Sequence, residues 1–181
     1  MRHKHTTKLL AVVLTLFFGL AMNAQEFSGL DASPMDAASF PSSYRVSDKL
    51  IKIVYSRPQL KGRSVESLAE NGKVWRTGAN EAAELTLYTD MKLGGKTIKA
   101  GTYSFFTIPG EKEWTAIVSS DVNVWGSYSY DESKDVARGT GTVSQGNESV
   151  EAFSIAFTES DNGVNMHMAW GTTRVTVPFT K

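Results

Sequence analysis

The stretch AFSIAFTESDNGVNMHMAWGTTRVTVPF, residues 152–179, decides the fold class. Phe153, Ile155 and Phe157 alternate with small or polar residues. The alternation resumes with Val164, Met166, Met168 and Trp170, and again with Val175, Val177 and Phe179. A period of two puts each apolar set on one face of a β-strand, against a core, and turns the residues between toward the other face. His167 falls on that other face, where a lone histidine reads as a solvent-facing or hydrogen-bonded residue and not as a ligand.

The same signal continues upstream. Ile51, Ile53 and Tyr55 alternate until Pro58 stops the strand. Leu85 and Leu87 alternate with Glu84, Thr86 and Tyr88. Leu93-Gly94-Gly95-Lys96 reads as a two-residue hairpin turn, because paired glycines accept the positive φ of a type I′ turn. Thr102–Ile108 (TYSFFTI) is continuous and aromatic, as in a strand buried on both faces, and Trp114–Ser119 follows as another strand. Asn123–Tyr130 is expected as a strand whose Trp125, Tyr128 and Tyr130 pack in the core. Arg138–Val143 is a weak strand, diluted by Gly139 and Gly141. Ser64–Glu70 forms about two helical turns, with Ser64 as cap and Asn71-Gly72 as stop.

Short strands at spacings near a dozen residues predict one all-β domain. The expected form is an antiparallel two-sheet β-sandwich with at most one short helix, and a closed β-barrel is the alternative. Phe105, Phe106, Trp114 and Ile117 join the residues of the quoted stretch as the expected core.

Met1–Lys8 is a short basic head and Leu9–Met22 an apolar run of 14 residues ending near Ala24. This is the three-part form of a secretory signal peptide, too short for a membrane span. Residues 1–24 are read as that signal, 25–41 as a flexible tether rich in small residues and proline, and 42–181 as the single domain. The expected location is therefore secreted or periplasmic, with no membrane span in the mature chain. Arg2, Lys4 and Lys8 leave with the signal, so the mature part keeps 16 basic residues against 19 acidic ones, a net charge of −3. That balance argues against a nucleic-acid partner, which needs a basic face. No cysteine is present, which excludes disulfides, zinc–thiolate and iron–sulfur sites and a cysteine nucleophile. No cofactor and no metal set is assigned. Asp131 and Asp135 lack the glycine-bearing loop of a calcium site and read as a solvated turn.

The polar and aromatic residues concentrate between the first and second expected strands, in YSRPQLKGR (residues 55–63) and KVWRTGANE (residues 73–81). Arg57, Arg63, Trp75, Arg76, Asn80 and Glu81 are the candidate site residues. In the functional reading the arginines form a receptor for a glycan or a small anionic ligand, and Trp75 is its stacking wall. In the structural reading Arg57 or Arg76 pairs with Glu81 and pins the loop to the sheet. The chain is thus expected to be a non-catalytic binding module. The alternatives are an envelope interaction protein whose loop is an internal brace, its protein partner unknown, and a carboxylate-dependent hydrolase drawing on Glu81, Glu84, Asp131 or Asp135. No catalytic residue is assigned, since no G-x-S-x-G elbow accompanies His167.

YSRP, KGR, GKVWRTGANE and AGTYSFFTIPGEKEW, with Trp125-Gly126 and YDESKD, carry a resemblance over Lys49–Phe179. The chain resembles the bacterial secreted domain-of-unknown-function family numbered twenty-nine-eleven. The resemblance implies a β-rich protein outside the cytoplasm and carries no activity with it. The chain departs from the family pattern at Arg63-Ser64-Val65-Glu66-Ser67 and at Glu70-Asn71-Gly72.

Overall fold

The computed structural model describes residues 27–181, and the segment read as the export signal lies outside the described residues. The β-domain occupies Asp31–Lys181. In chain order its elements are β1 (Met35–Phe40), β2 (Ile51–Ser56), α1 (Val65–Leu68), β3 (Ala83–Leu87), β4 (Met91–Leu93), β5 (Lys96–Ile98), β6 (Gly101–Ile108), β7 (Glu113–Ser119), a single 3-10 turn (Glu132–Lys134), β8 (Asp135–Ser160) and β9 (Gly163–Thr180). β1 falls within the stretch read as a tether. Its small residues leave no apolar period to see, yet the strand pairs with β2 from Met35↔Ser56 to Phe40↔Ile51.

All nine strands join one antiparallel sheet in the order β1-β2-β3-β6-β7-β8-β9-β4-β5. The ladders do not divide the strands into two separately paired sheets. The reason lies in β8 and β9, which are 26 and 18 residues long. β8 pairs with β7 over Asp135–Thr142 and continues into its ladder with β9 without ending. What read as two strands, Arg138–Val143 and Ala152–Phe157, is one. Gly141 does not mark a break. A Cβ there would come within 2.8 Å of Val175 and Val177, so the glycine lets the β9 side chains press against β8.

Both long strands bend. The β8–β9 register shifts between Gln145 and Val150 and again before Ser154, opposite Gly171 at φ +56°. His167 and Thr176 measure the bend. Nine residues of straight strand would span ~30 Å, yet His167 Nδ1 lies 2.9 Å from Thr176 Oγ1. His167 Nε2 also meets Thr158 Oγ1 at 2.8 Å. This is the hydrogen-bonded histidine of the sequence reading, and burial lowers its pKa below the ordinary 6.5.

Curling gives the sheet two unequal faces. The inner face holds the main core, with Ile51, Ile53, Leu85, Phe105, Phe153, Met166, Trp170, Val177 and Phe179 all buried. On the outer face Phe106, Ile117, Ala82 and Val124 form a second, smaller cluster. β6 serves both faces, with consecutive Phe105 and Phe106 in the inner and outer clusters. Gly94 and Gly95 make the expected two-residue turn at φ +58° and +82°. Ser64 caps α1 by accepting from Ser67 N at 3.2 Å. No helix among the described residues is long and apolar enough to cross a membrane.

Candidate functional site

The six candidate residues lie on the connection from β2 to β3, and that connection divides them. Arg57 is an internal brace. Its Nε donates to the Phe153 carbonyl at 3.0 Å, its Nη2 to Ser154 Oγ at 2.7 Å, and its Nη1 to Asp36 Oδ2 at 3.0 Å. It thereby ties β1 to the middle of β8. The carboxylate partner is Asp36 and not Glu81 or Glu84. Chain geometry explains the choice: Asp36 pairs with Tyr55 in the β1–β2 ladder, two positions from Arg57. The backbone nearby reinforces the tie, since Leu60 N donates to the Glu151 carbonyl and Phe153 N to the Pro58 carbonyl. The Tyr55 hydroxyl accepts from Ile155 N at 2.8 Å, and burial pushes its pKa up. Arg63 turns back on its own loop, donating to the carbonyls of Leu60 and Gln59, both at 2.9 Å.

Trp75 is a core residue and not a surface stacking wall. It is 6% exposed. Its ring stacks on Trp170 at 5.5 Å and meets Trp114 and Phe153 edge-on at 6.0 and 5.0 Å. Its backbone exchanges both hydrogen bonds with Thr107 of β6, at 2.7 and 2.9 Å. That pairing fixes the loop's parity, with Trp75 inward and Val74 packed on the outer cluster.

Beyond Trp75 the backbone twists sharply. Thr77 and Asn80 adopt φ of +53° and +61°, an uncommon region for residues with a Cβ. Buried Thr77 is held by its hydroxyl, which donates to Thr107 Oγ1 at 3.1 Å. Arg76 joins no ion pair among the described residues, so the expected Arg76–Glu81 pair does not form. Its Nε is buried without a hydrogen-bond partner. The Asn80 carbonyl accepts from Gly126 N at 2.9 Å, Ala82 N donates to the Val124 carbonyl at 2.9 Å, and Glu81 forms a β-bridge with Trp125. These contacts staple residues 122–126 over the start of β3.

Asn123–Tyr130 is accordingly not a regular strand. Asn123 and Gly126 take φ of +59° and +68°, which breaks the alternation. Trp125 is 60% exposed and Tyr128 84%, against the expectation that both pack in the core. Only Tyr130 does so, edge-on to Phe106 at 5.2 Å. Its hydroxyl donates to Asp135 Oδ2 at 2.7 Å and accepts from Arg138 Nη2 at 2.8 Å. Burial, and then donation to Asp135, push its pKa up to about 12. Arg138 Nε also donates to Asp135 Oδ2, at 2.6 Å. Asp135, read as part of a solvated turn, is thus committed to a half-buried network.

A cleft opens where the stapled segment leaves the sheet uncovered. It measures 280 Å³, and Met35, Val54, Ala82 and Val122 give it apolar walls. Glu81, Glu84, Asn123, Ser56 and Ser104 supply its polar groups. Register builds it: Glu84 of β3 pairs with Val54 of β2 on one side and with Ser104 of β6 on the other. Ser56 and Ser104 are 4% and 3% exposed, and among the described residues neither hydroxyl has a hydrogen-bond partner. Both glutamates are exposed, neither joins an ion pair among the described residues, and no lysine or arginine lines the cleft. The arrangement can accept hydrogen bonds and positive charge at its rim and exchange hydrogen bonds at its floor.

Of the candidate residues, then, the cleft takes in Glu81, and Asn80 positions its edge. Ser56, Ser104 and Asn123 escape the sequence reading. Ser104 left one signal, a serine between Tyr103 and Phe105 in an aromatic strand. Comparison with curated proteins and with solved structures found no significant match. A family model described as "Protein of unknown function (DUF2911)" matches residues 33–179, and the chain belongs to that family.

Proposed function

We propose that this protein is an exported, non-catalytic binding module that takes a glycan in the outer-face cleft. Export rests on the basic head and apolar run at the N-terminus. The observation that carries the binding reading is a pair of serine hydroxyls at the cleft floor that make no hydrogen bond among the described residues, in the same cleft as two carboxylates without ion pairs. Hydroxyls of a bound sugar can exchange hydrogen bonds with Ser56 and Ser104, and Trp125, exposed and paired with Glu81 in a β-bridge, offers a ring face next to Glu81 at the rim.

Asn80 and Glu81 keep a place in this reading. Arg57, Arg63 and Trp75 belong to the brace, and the anionic ligand loses its support because the cleft is acidic. Hydrolysis is disfavoured for a physical reason. Two-carboxylate glycoside hydrolysis needs its carboxyl groups in contrasting environments, and Glu81 and Glu84 are both open to solvent.

Calorimetry of the purified protein against a glycan panel tests the reading. Saturable binding is expected, weakened at least tenfold in Trp125→Ala with the melting temperature unchanged. Absence of binding across the panel, or equal binding by the variant, would overturn it.

A further inference from the structure

We infer that the ligand of this cleft carries a protonated amine among its hydroxyls, the chemistry of an amino sugar with a free amine. This deepens the proposed function and rests on it. The inference starts from charge. Glu81 and Glu84 face one cleft and neither has an intramolecular cation among the described residues. A neutral sugar that closed over them would strip water from two carboxylates and return only hydroxyl hydrogen bonds. An ammonium offsets that loss, because charge-assisted hydrogen bonds are about twice as strong as neutral ones. The floor sets the second requirement. Ser56 and Ser104 can each donate and accept, which suits hydroxyl groups and not a bare cation. Trp125 favours the same ligand, since an exposed indole attracts both a sugar face and a nearby ammonium. The size is consistent, because 280 Å³ lies just under the range of drug-sized ligand sites, about 300 Å³ upward, and fits a terminal ring better than a long chain.

The test compares three probes on the purified protein: a glucosamine tetramer, the N-acetylated tetramer, and spermidine. The glucosamine tetramer is expected to bind at least tenfold tighter than either of the others. Glu81→Gln and Glu84→Gln, both at exposed positions, should each weaken it about tenfold, and added salt should weaken it in the parent protein. Equal binding of the two tetramers overturns the amine inference and leaves glycan binding standing. Equal binding of spermidine shows a site for charge alone and overturns the hydroxyl requirement. Binding of the glucosamine tetramer that neither glutamine variant nor salt reduces removes the role of the carboxylates. Failure of both tetramers, together with the rest of the glycan panel, overturns the proposed function and this inference with it.

Discussion

At one end of the β2–β3 connection, Arg57 places its guanidinium on Asp36, Ser154 and a carbonyl of β8. At the other end, Glu81 shares an open cleft with Glu84 and two serines whose hydroxyls have no partner among the described residues. Both ends carry charged groups, and in the sequence both look like site residues. The difference is in what surrounds them. Arg57 finds acceptors on two strands that the curling sheet brings together. The glutamates lie on the outer face, where the covering segment stops short. Polar groups whose partners come from within hold the fold, and those left open are free to recognise something else.

Substitutions should separate the two ends by what they change. Trp75→Ala, beneath the brace, should have the largest effect, a loss of about 3–5 kcal/mol for truncating a fully packed aromatic, read by urea unfolding. A loss below 1 kcal/mol would move Trp75 out of the core. Arg57→Ala should cost less, about 1–2 kcal/mol, because its hydrogen bonds are charged but partly solvated. If Arg57→Ala unfolds normally but loses ligand, the division between brace and cleft collapses. A smaller effect belongs to pH. The folded-state pKa of Tyr130, about 12, exceeds the ordinary 10.0. Its contribution to stability is therefore complete below pH 10 and is lost as the pH rises toward 12. Unfolding measured across that window should show the decline, and Tyr130→Phe should flatten it. Least of all, Trp125→Ala should change stability by no more than about 0.5 kcal/mol, as surface substitutions do. A large destabilisation there would make the exposed ring a structural prop and sharpen the comparison against the cleft.

The strands were legible wherever burial imposed a period of two. β9 and the second half of β8 follow the alternation of Phe153 to Phe179, and β6 shows its double burial in consecutive Phe105 and Phe106. Turn chemistry was legible too, at Gly94-Gly95 and at the Ser64 cap. The single sheet was not, because strand order depends on pairings between distant segments. Gly141 weakened the signal for a related reason: a glycine that admits side chains of a neighbouring strand adds nothing to the apolar period of its own. The site was half legible. Composition drew attention to the right connection, but parity within an irregular loop has no local signal. Trp75 therefore read as surface, and Trp125 and Tyr128 as core. The serines of the cleft lie on β2 and β6, and only the register of β2, β3 and β6 sets them beside Glu84.

The Arg57 tie also has a consequence in time. Its partners Phe153 and Ser154 lie 96 and 97 residues further along the chain. β8 and β9, in contrast, are joined by a tight turn and can pair as soon as both exist. Contacts between near neighbours close before those that span long loops. β1 is an outermost strand of the sheet, so until the tie forms its free edge is a template on which another chain can add. The guanidinium thus acts late, as a latch on the assembly process. Refolding at rising protein concentration should therefore lose more material to aggregates in Arg57→Ala than its equilibrium stability alone accounts for.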